Sequence, residues 1–463
     1  MTHGVPVQEL VEQALQRSRA DGCVVVAGEG DEVDLRWAGN RLTTNGQTHD
    51  RELTVVSVVD GDRVGVVSRP VSTPDDVAAL VRASEAAARE AAHAEDVAPL
   101  VADGVDAGWD APVTGTSIDA LAGFADRLGA WCRDAAGDDR LLYGFLRHSR
   151  TSTFVATSAG ARRRVDQPDG GLDLNVKSAD GRRSVWVGRA VRDPAALDLD
   201  VVEEQARRRF EWTARRVDLP AGRYDTVLPP SAVADLLINA YWEMGARDAE
   251  EGRTVFAGAQ PGRTRVGERL SAQPLTLWSD PGLTPLQCAP FVVARSSRAG
   301  VASVFDNGAA VGPTTWIDGG VLATLARSRA WAAETGEAPT PVVGNLALRG
   351  GPDASGTEDD LVRGVERGLL LTCLWYIREV DPETLLLTGL TRDGVFLVED
   401  GEVTAAVNNF RFNESPVGML SRVAAVGATV PTFPREWSDW FTRVAMPPLL
   451  VRDFTMSTVS DAT

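Results

Sequence analysis

Lysine is almost missing from this chain. Lys177 is the only one, and every other basic side chain is arginine. A phosphate-cradling G-x-x-x-x-G-K-[ST] loop is therefore excluded. Histidine is scarce as well: His3, His49, His93 and His148 are the full set, none is followed by Glu, and none occurs after position 148. A hydrolytic zinc site draws on neutral imidazoles together with a carboxylate or thiolate. The C-terminal part of the chain offers only carboxylates and two isolated cysteines. The four cysteines, Cys23, Cys132, Cys288 and Cys373, are far apart and form no C-x-x-C pair. That spacing excludes a zinc ribbon and is not a disulfide framework; free buried thiols in a reducing compartment are expected. No run of 18 apolar residues occurs, so no membrane-spanning helix is expected. Residues 1–10 lack the charged and apolar regions of a signal peptide. A cytoplasmic protein is the expectation.

What is present is an acidic chain of ordinary composition. The formal net charge is −18 and the pI about 4.8. Such a surface repels phosphate backbones and anionic bilayers, which argues against nucleic acid or membrane as partner; its ordinary consequence is solubility. With 463 residues, 44% hydrophobic and 24% charged, the chain can bury two domain cores without staples.

The patterning predicts an α+β protein of two domains. Over residues 1–218, helices are expected at 7–20, 74–93, 118–135 and 199–215, the second capped by Thr73 and the third by Ser117. Strands are expected at 23–27, 33–42, 53–59, 64–67, 141–156, 172–176 and 184–191, with Asp60-Gly61 as a hairpin turn. Over residues 219–463 a strand at 224–228 leads into one long helix from Pro230 to about Asp248. Mostly antiparallel strands follow, at 275–278, 292–295, 301–305, 342–348, 369–377, 385–390, 395–398 and 403–407. Asp393-Gly394 and Asp400-Gly401 both read as tight hairpin turns.

Chemistry-bearing motifs are few. His49 sits in a polar loop, His93 near a helix end, and His148 on a strand beside Ser149. A Ser-His-acid triad assembles across a fold and is not visible in sequence, but no G-x-S-x-G elbow is present. The clusters Asp248-Glu250-Glu251 and Glu358-Asp359-Asp360 lack calcium-loop spacing, and Thr357 ahead of the second one reads as a helix cap. Arg207, Arg208 and Arg209 read as a solvated helix face.

Several pieces of the C-terminal region, in order and spacing, resemble the TldD/PmbA family. They are Arg265-Val266-Gly267-Glu268-Arg269-Leu270-Ser271 with Leu275-Thr276-Leu277-Trp278-Ser279-Asp280; the strand from Pro341 through Asn345 to Leu348; Glu366-Arg367-Gly368-Leu369-Leu370-Leu371-Thr372; the hairpin from Leu390 to Val403; and the closing stretch from Met446 to Ser457. The resemblance covers most of residues 224–457, and the first domain follows it more loosely. It implies a pair of related subunits. One carries zinc on His-Glu-x-x-x-His with a late cysteine as third ligand; the other lacks these residues and completes a closed chamber. Here the motif positions fall on Tyr241 and Ala246 for the histidines and Trp242 for the glutamate. Cys373, the last cysteine, lies well before the closing segment. The resemblance thus implies a metal-free, non-catalytic subunit needing no cofactor, whose partners are a zinc-bearing TldD-like subunit and an unfolded peptide or protein substrate. Peptide is expected to add as a strand near residues 369–377 and 395–407. A stand-alone homo-oligomeric scaffold or peptide-binding protein, and an amide hydrolase of different chemistry, are the alternatives.

Overall fold

A computed structural model describes residues 5–297 and 301–460. Its first sheet is fully antiparallel, built from β1 (Gly22–Ala38), β2 (Arg41–Val59), β3 (Arg63–Pro70), β4 (Arg140–Thr157), β5 (Arg162–Ser178) and β6 (Ser184–Ala190) in the order β3-β2-β1-β4-β5-β6. Gly39 and Asn40, both left-handed, turn β1 into β2, which is the backbone a tight hairpin requires. Period-two alternation puts Val25, Ala27, Val55 and Phe154 on one face, against α1 (Val7–Arg17) and α2 (Pro74–Glu90). Farther along the same face, Leu35, Trp37, Leu146 and Leu172 meet α3 (Ala122–Gly137) and α4 (Leu199–Trp212). The alternate residues Val24, Val26, Val56 and Val155 point the other way, onto Phe291, Val304 and Phe305 of the C-terminal region.

The C-terminal region holds two more sheets with one helix between them. The larger runs Leu374–Asp381, Leu386–Thr391, Asn409–Glu414, Leu449–Ser460, Gly222–Leu228, Arg367–Leu371, Val395–Glu399, Glu402–Val407, Arg216–Val217, with Val423–Val426 beside Leu449–Ser460. The smaller runs Val321–Leu322, Thr314–Asp318, Thr276–Ser279, Leu346–Arg349, Val444–Met446, Val430–Thr432. Helix α5 (Pro230–Trp242) is mostly apolar and buried on nearly every side: Val233, Leu236, Leu237 and Ile238 share one core with Leu277 and Leu346 of the small sheet and Leu369 and Phe412 of the large one. Leu370, Phe396 and Val398, on the far face of the large sheet, pack against Val202, Ala206 and Phe210 of α4.

The α+β class and its antiparallel sheets match the sequence expectation, and several details differ. The strands expected at 23–27 and 33–42 are one strand ending at Ala38, because both edges of Gly28–Gly30 are paired, to β2 and to β4. Ser117 caps through no side-chain bond; a 3-10 turn, Ile118–Leu121, precedes α3 instead. The long helix expected to reach Asp248 stops at Trp242. There Gly245 goes extended to bridge Ala326, and a short helix, Ala246–Glu250, follows. Asp393 and Gly394 do adopt positive φ, but the strands flanking them pair with other neighbours and form no hairpin. Residues 292–295 and 301–305 form no strand. Arg209 is not solvated: it is buried and donates to the Trp186 carbonyl at 2.8 Å. His3 lies outside the described residues.

The edges also differ from expectation. Arg367–Leu371 and Val395–Glu399 are interior strands. Leu374–Asp381 is an edge, but its Tyr376 and Ile377 amides both donate to the Glu436 carboxylate, at 3.0 Å each. The uncovered edge lies elsewhere. β3 pairs only with residues 52–59 of β2, so residues 41–50 have β1 on one side and, among the described residues, no strand on the other.

Helix α2 lies directly on β3. Ser84 donates to the Gly65 carbonyl at 2.8 Å, and a methyl group at Gly65 would sit 2.1 Å from the Ser84 carbonyl oxygen. Gly65→Ala is therefore expected to lower stability by about 1–3 kcal/mol, the usual range for overpacking, read as a lower urea midpoint at unchanged slope.

Candidate functional site

A cavity of about 470 Å³ lies between the inner face of the first sheet and the C-terminal end of α5. Thr153, Val165 and Gln167 form its floor; Tyr241, Trp242, Cys288, Val343, Phe441 and Arg443 are on the C-terminal side. Two of the three positions singled out in sequence are thus brought together in one cavity. The third, Ala246, does not line it: Ala246 is buried in the short helix past the break, its amide donating to the Ala326 carbonyl at 2.8 Å.

Tyr241 is fixed at both ends. Its hydroxyl donates to the Val343 carbonyl at 2.9 Å and accepts from the Val343 amide at 2.8 Å. Its ring meets Trp316 and Phe441 edge-on, with centroids 5.2 and 5.8 Å away. Burial holds the phenol well above the ordinary tyrosine range, with the Val343 hydrogen bond only partly opposing. Trp242 packs edge-on against Trp437 at 4.9 Å. Behind them runs a saturated polar network: Trp316 Nε1 donates to Ser279 Oγ, which donates to the Asn345 carbonyl, while the Asn345 amide holds the Asp280 and Leu286 carbonyls. Asn345 is legible in sequence as part of the Pro341–Leu348 motif, but its role as a staple is not.

These residues do not fit a zinc ion. The phenol oxygen is already engaged twice, and an indole and a methyl group supply no ligand. Cys288 is the one thiol in the wall, and burial raises its pKa, with a hydrogen bond to the Gly344 backbone opposing. Among the described residues, no three of His, Cys, Asp and Glu gather where they could hold a metal. His148 faces α3 rather than Ser149's side of the sheet; it contacts Thr116 Oγ1 at 3.0 Å and the Arg192 carbonyl at 3.2 Å, and burial lowers its pKa. His49, exposed on β2 rather than in a loop, lies against Asp31 and the buried Glu29, and the exposed His93 lies against Asp62. Asp248, Glu250 and Glu251 are each paired with arginine, and Asp360 closes a capping box with Thr357.

Asp235, missed in sequence, sits fully buried inside α5. Its Oδ1 accepts from the Glu436 amide at 3.0 Å, and Trp437 Nε1 donates to its carbonyl at 2.8 Å. Burial pushes its carboxyl well above the ordinary range, and the backbone hydrogen bond only partly offsets this. An acidic residue in an apolar stretch was the available signal.

The three-sheet α+β fold is one found among metallopeptidase-related proteins. Residues 221–458 match the PmbA/TldA metallopeptidase C-terminal domain, and residues 23–88 match PmbA/TldA metallopeptidase domain 1. The chain belongs to the TldD/PmbA family. The fold is shared with TldE from Thermococcus kodakarensis, at 15% identity and TM-score 0.77, over 97% of this chain and 99% of that one. A Thermotoga maritima protein described as a candidate modulator of a DNA gyrase aligns with 15% identity, TM-score 0.76 and the same coverage. A Bacteroides thetaiotaomicron protein of like description aligns with 16% identity and TM-score 0.74 over 98% of each chain. Comparison with curated proteins gives no match.

Two substitutions test the site. Tyr241→Phe leaves the Val343 amide and carbonyl without their buried partner and is expected to cost about 1–3 kcal/mol, measured by urea unfolding. Asp235→Asn keeps the acceptor for Glu436. The folded parent holds the Asp235 proton to a higher pH than the unfolded chain does, so its stability falls as pH rises between those two values. The variant is therefore expected to exceed the parent at neutral pH, with the gap narrowing as pH falls from the raised value toward the ordinary carboxylate range and closed below it, in unfolding curves recorded across pH.

Proposed function

We propose that this chain is the non-catalytic, metal-free subunit of a heteromeric TldD/TldE-type zinc metallopeptidase in the cytoplasm, forming part of a peptide chamber with a zinc-bearing TldD-like partner. The observation that carries this reading is the helix end at the cavity, where Tyr241 and Trp242 stand at the positions that the resemblance assigns to a histidine ligand and the motif glutamate, and the tyrosine hydroxyl is committed to Val343. The fold likeness to TldE agrees with it. No helix among the described residues is long and apolar enough to cross a membrane. The uncovered edge of β2 at residues 41–50 gives an unfolded peptide, or a strand of the partner, a place to add by backbone hydrogen bonds.

Co-expression with a zinc-bearing family member tests the proposal. The expected outcome is a co-purifying complex whose zinc stays with the other subunit and whose peptidase activity needs both. Peptidase activity of the isolated chain at the level of the mixture, or stoichiometric zinc bound by this chain alone, overturns it.

A further inference from the structure

The wall of the cavity at Tyr241 contains no carboxylate. Its only charged lining residues are Arg295 and Arg443, and both face a carboxylate outside the wall: Arg443 has Asp169 at 2.9 Å, and Arg295 has Glu52 at 3.8 Å. In a chain of net charge −18, this is a surface with no charge left to pair. A cationic side chain finds no partner there, and an anionic one has to displace an existing ion pair; either loses its water without compensation.

What the wall presents instead is aromatic. Tyr241, Trp242, Phe291 and Phe441 line it, together with Val165 and Val342. Tyr241 adds no free polar atom, since its hydroxyl is engaged twice by Val343. Burial keeps the Cys288 thiol protonated, and a neutral thiol behaves as a small apolar group. Rings so placed favour another ring, in offset or edge-on contact. The volume, about 470 Å³, lies within the roughly 300–1,000 Å³ span of ligand sites. Arg295 and Gly344 are exposed members of the wall, so the cavity opens to solvent beside them.

Three neutral polar groups of the wall are unengaged. Among the described residues, no hydrogen bond reaches the Gln167 amide, the Thr153 hydroxyl or the Trp242 indole N–H. None of the three is sealed from solvent. An amide and a hydroxyl each donate and accept, and an indole donates. That set matches the C=O and N–H of peptide groups and carries no charge.

We propose that this cavity seats one aromatic side chain of an extended peptide, with Gln167, Thr153 and Trp242 Nε1 taking the backbone polar groups beside it. The inference rests on the reading of the cavity as part of a peptide chamber and names the class of side chain that the chamber prefers. It needs no zinc-bearing partner, because every group it invokes belongs to this chain.

Isothermal titration of the full chain with capped peptides tests it. The probes are N-acetyl pentapeptide amides of alanine carrying phenylalanine, alanine, lysine or glutamate at the centre. The phenylalanine peptide is expected to bind saturably, and about tenfold or more tighter than the other three. Gln167→Ala and Trp242→Phe are each expected to weaken it about three- to tenfold. Thr153→Phe, which fills the cavity, is expected to abolish binding, with urea midpoints reporting that the variants fold. No saturable binding of the phenylalanine peptide, equal binding of all four, or a preference for another of them overturns the proposal. So does undiminished affinity in the folded Gln167→Ala and Trp242→Phe variants. Because the titration uses this chain alone, its failure leaves the co-purification test of the subunit assignment untouched.

Discussion

Asp169 fixes the spacing between the two halves of the molecule. It projects from β5 toward the C-terminal region, where its carboxylate accepts from Arg192 and from Thr442 Oγ1 at 2.6 Å and forms an ion pair with Arg443 at 2.9 Å. Burial alone would raise its pKa; the two guanidinium groups, the Thr442 hydroxyl and the Gly170 amide outweigh that and hold it below the ordinary range. Arg443 reaches on to the Pro168 and Gln287 carbonyls. Because Gln167 and Val165 lie two and four residues before Asp169 on the same face of β5, the clamp that seats Arg443 also sets how far the cavity floor lies from Tyr241 and Phe441.

The segment from Phe433 to Arg443 carries most of that junction. Phe433 rests on Gly171, where a methyl group would sit 2.2 Å from its ring. Glu436 closes the edge of Leu374–Asp381, Trp437 packs on Trp242, and Phe441 packs on Tyr241. One irregular stretch thus touches the first sheet, the large sheet and the end of α5. A largely apolar, buried helix gains its place from such surroundings rather than from its own propensity, and Asp235 is what the segment grips within it.

Elements with a strong local signal were legible in sequence. Thr73 caps α2 as expected, with Asp76 closing a capping box, Asp60 and Gly61 turn β2 into β3 with positive φ, and Asp400-Gly401 joins two paired strands. Elements set by long-range pairing were not. Gly28 and Gly30 read as an interruption because glycine weakens an isolated strand, yet neighbours on both sides hold them in β1. The break after Trp242 depends on Ala326, some eighty residues away, and no periodicity announces it. Tyr241 and Trp242 were singled out through the family resemblance alone; the phenol's commitment to Val343 is a contact between distant segments, invisible to local pattern.

The hairpin arm of β1 and β2 reaches past the end of β3, and this has a consequence for its chemistry in water. Along residues 41–50 successive amides alternate between facing β1 and facing solvent. The arm is therefore only half protected: every second amide is open to exchange with deuterium while its neighbours are shielded. A strand laid along it would silence the open half without moving the other, so the isolated chain carries its own built-in reporter of occupancy.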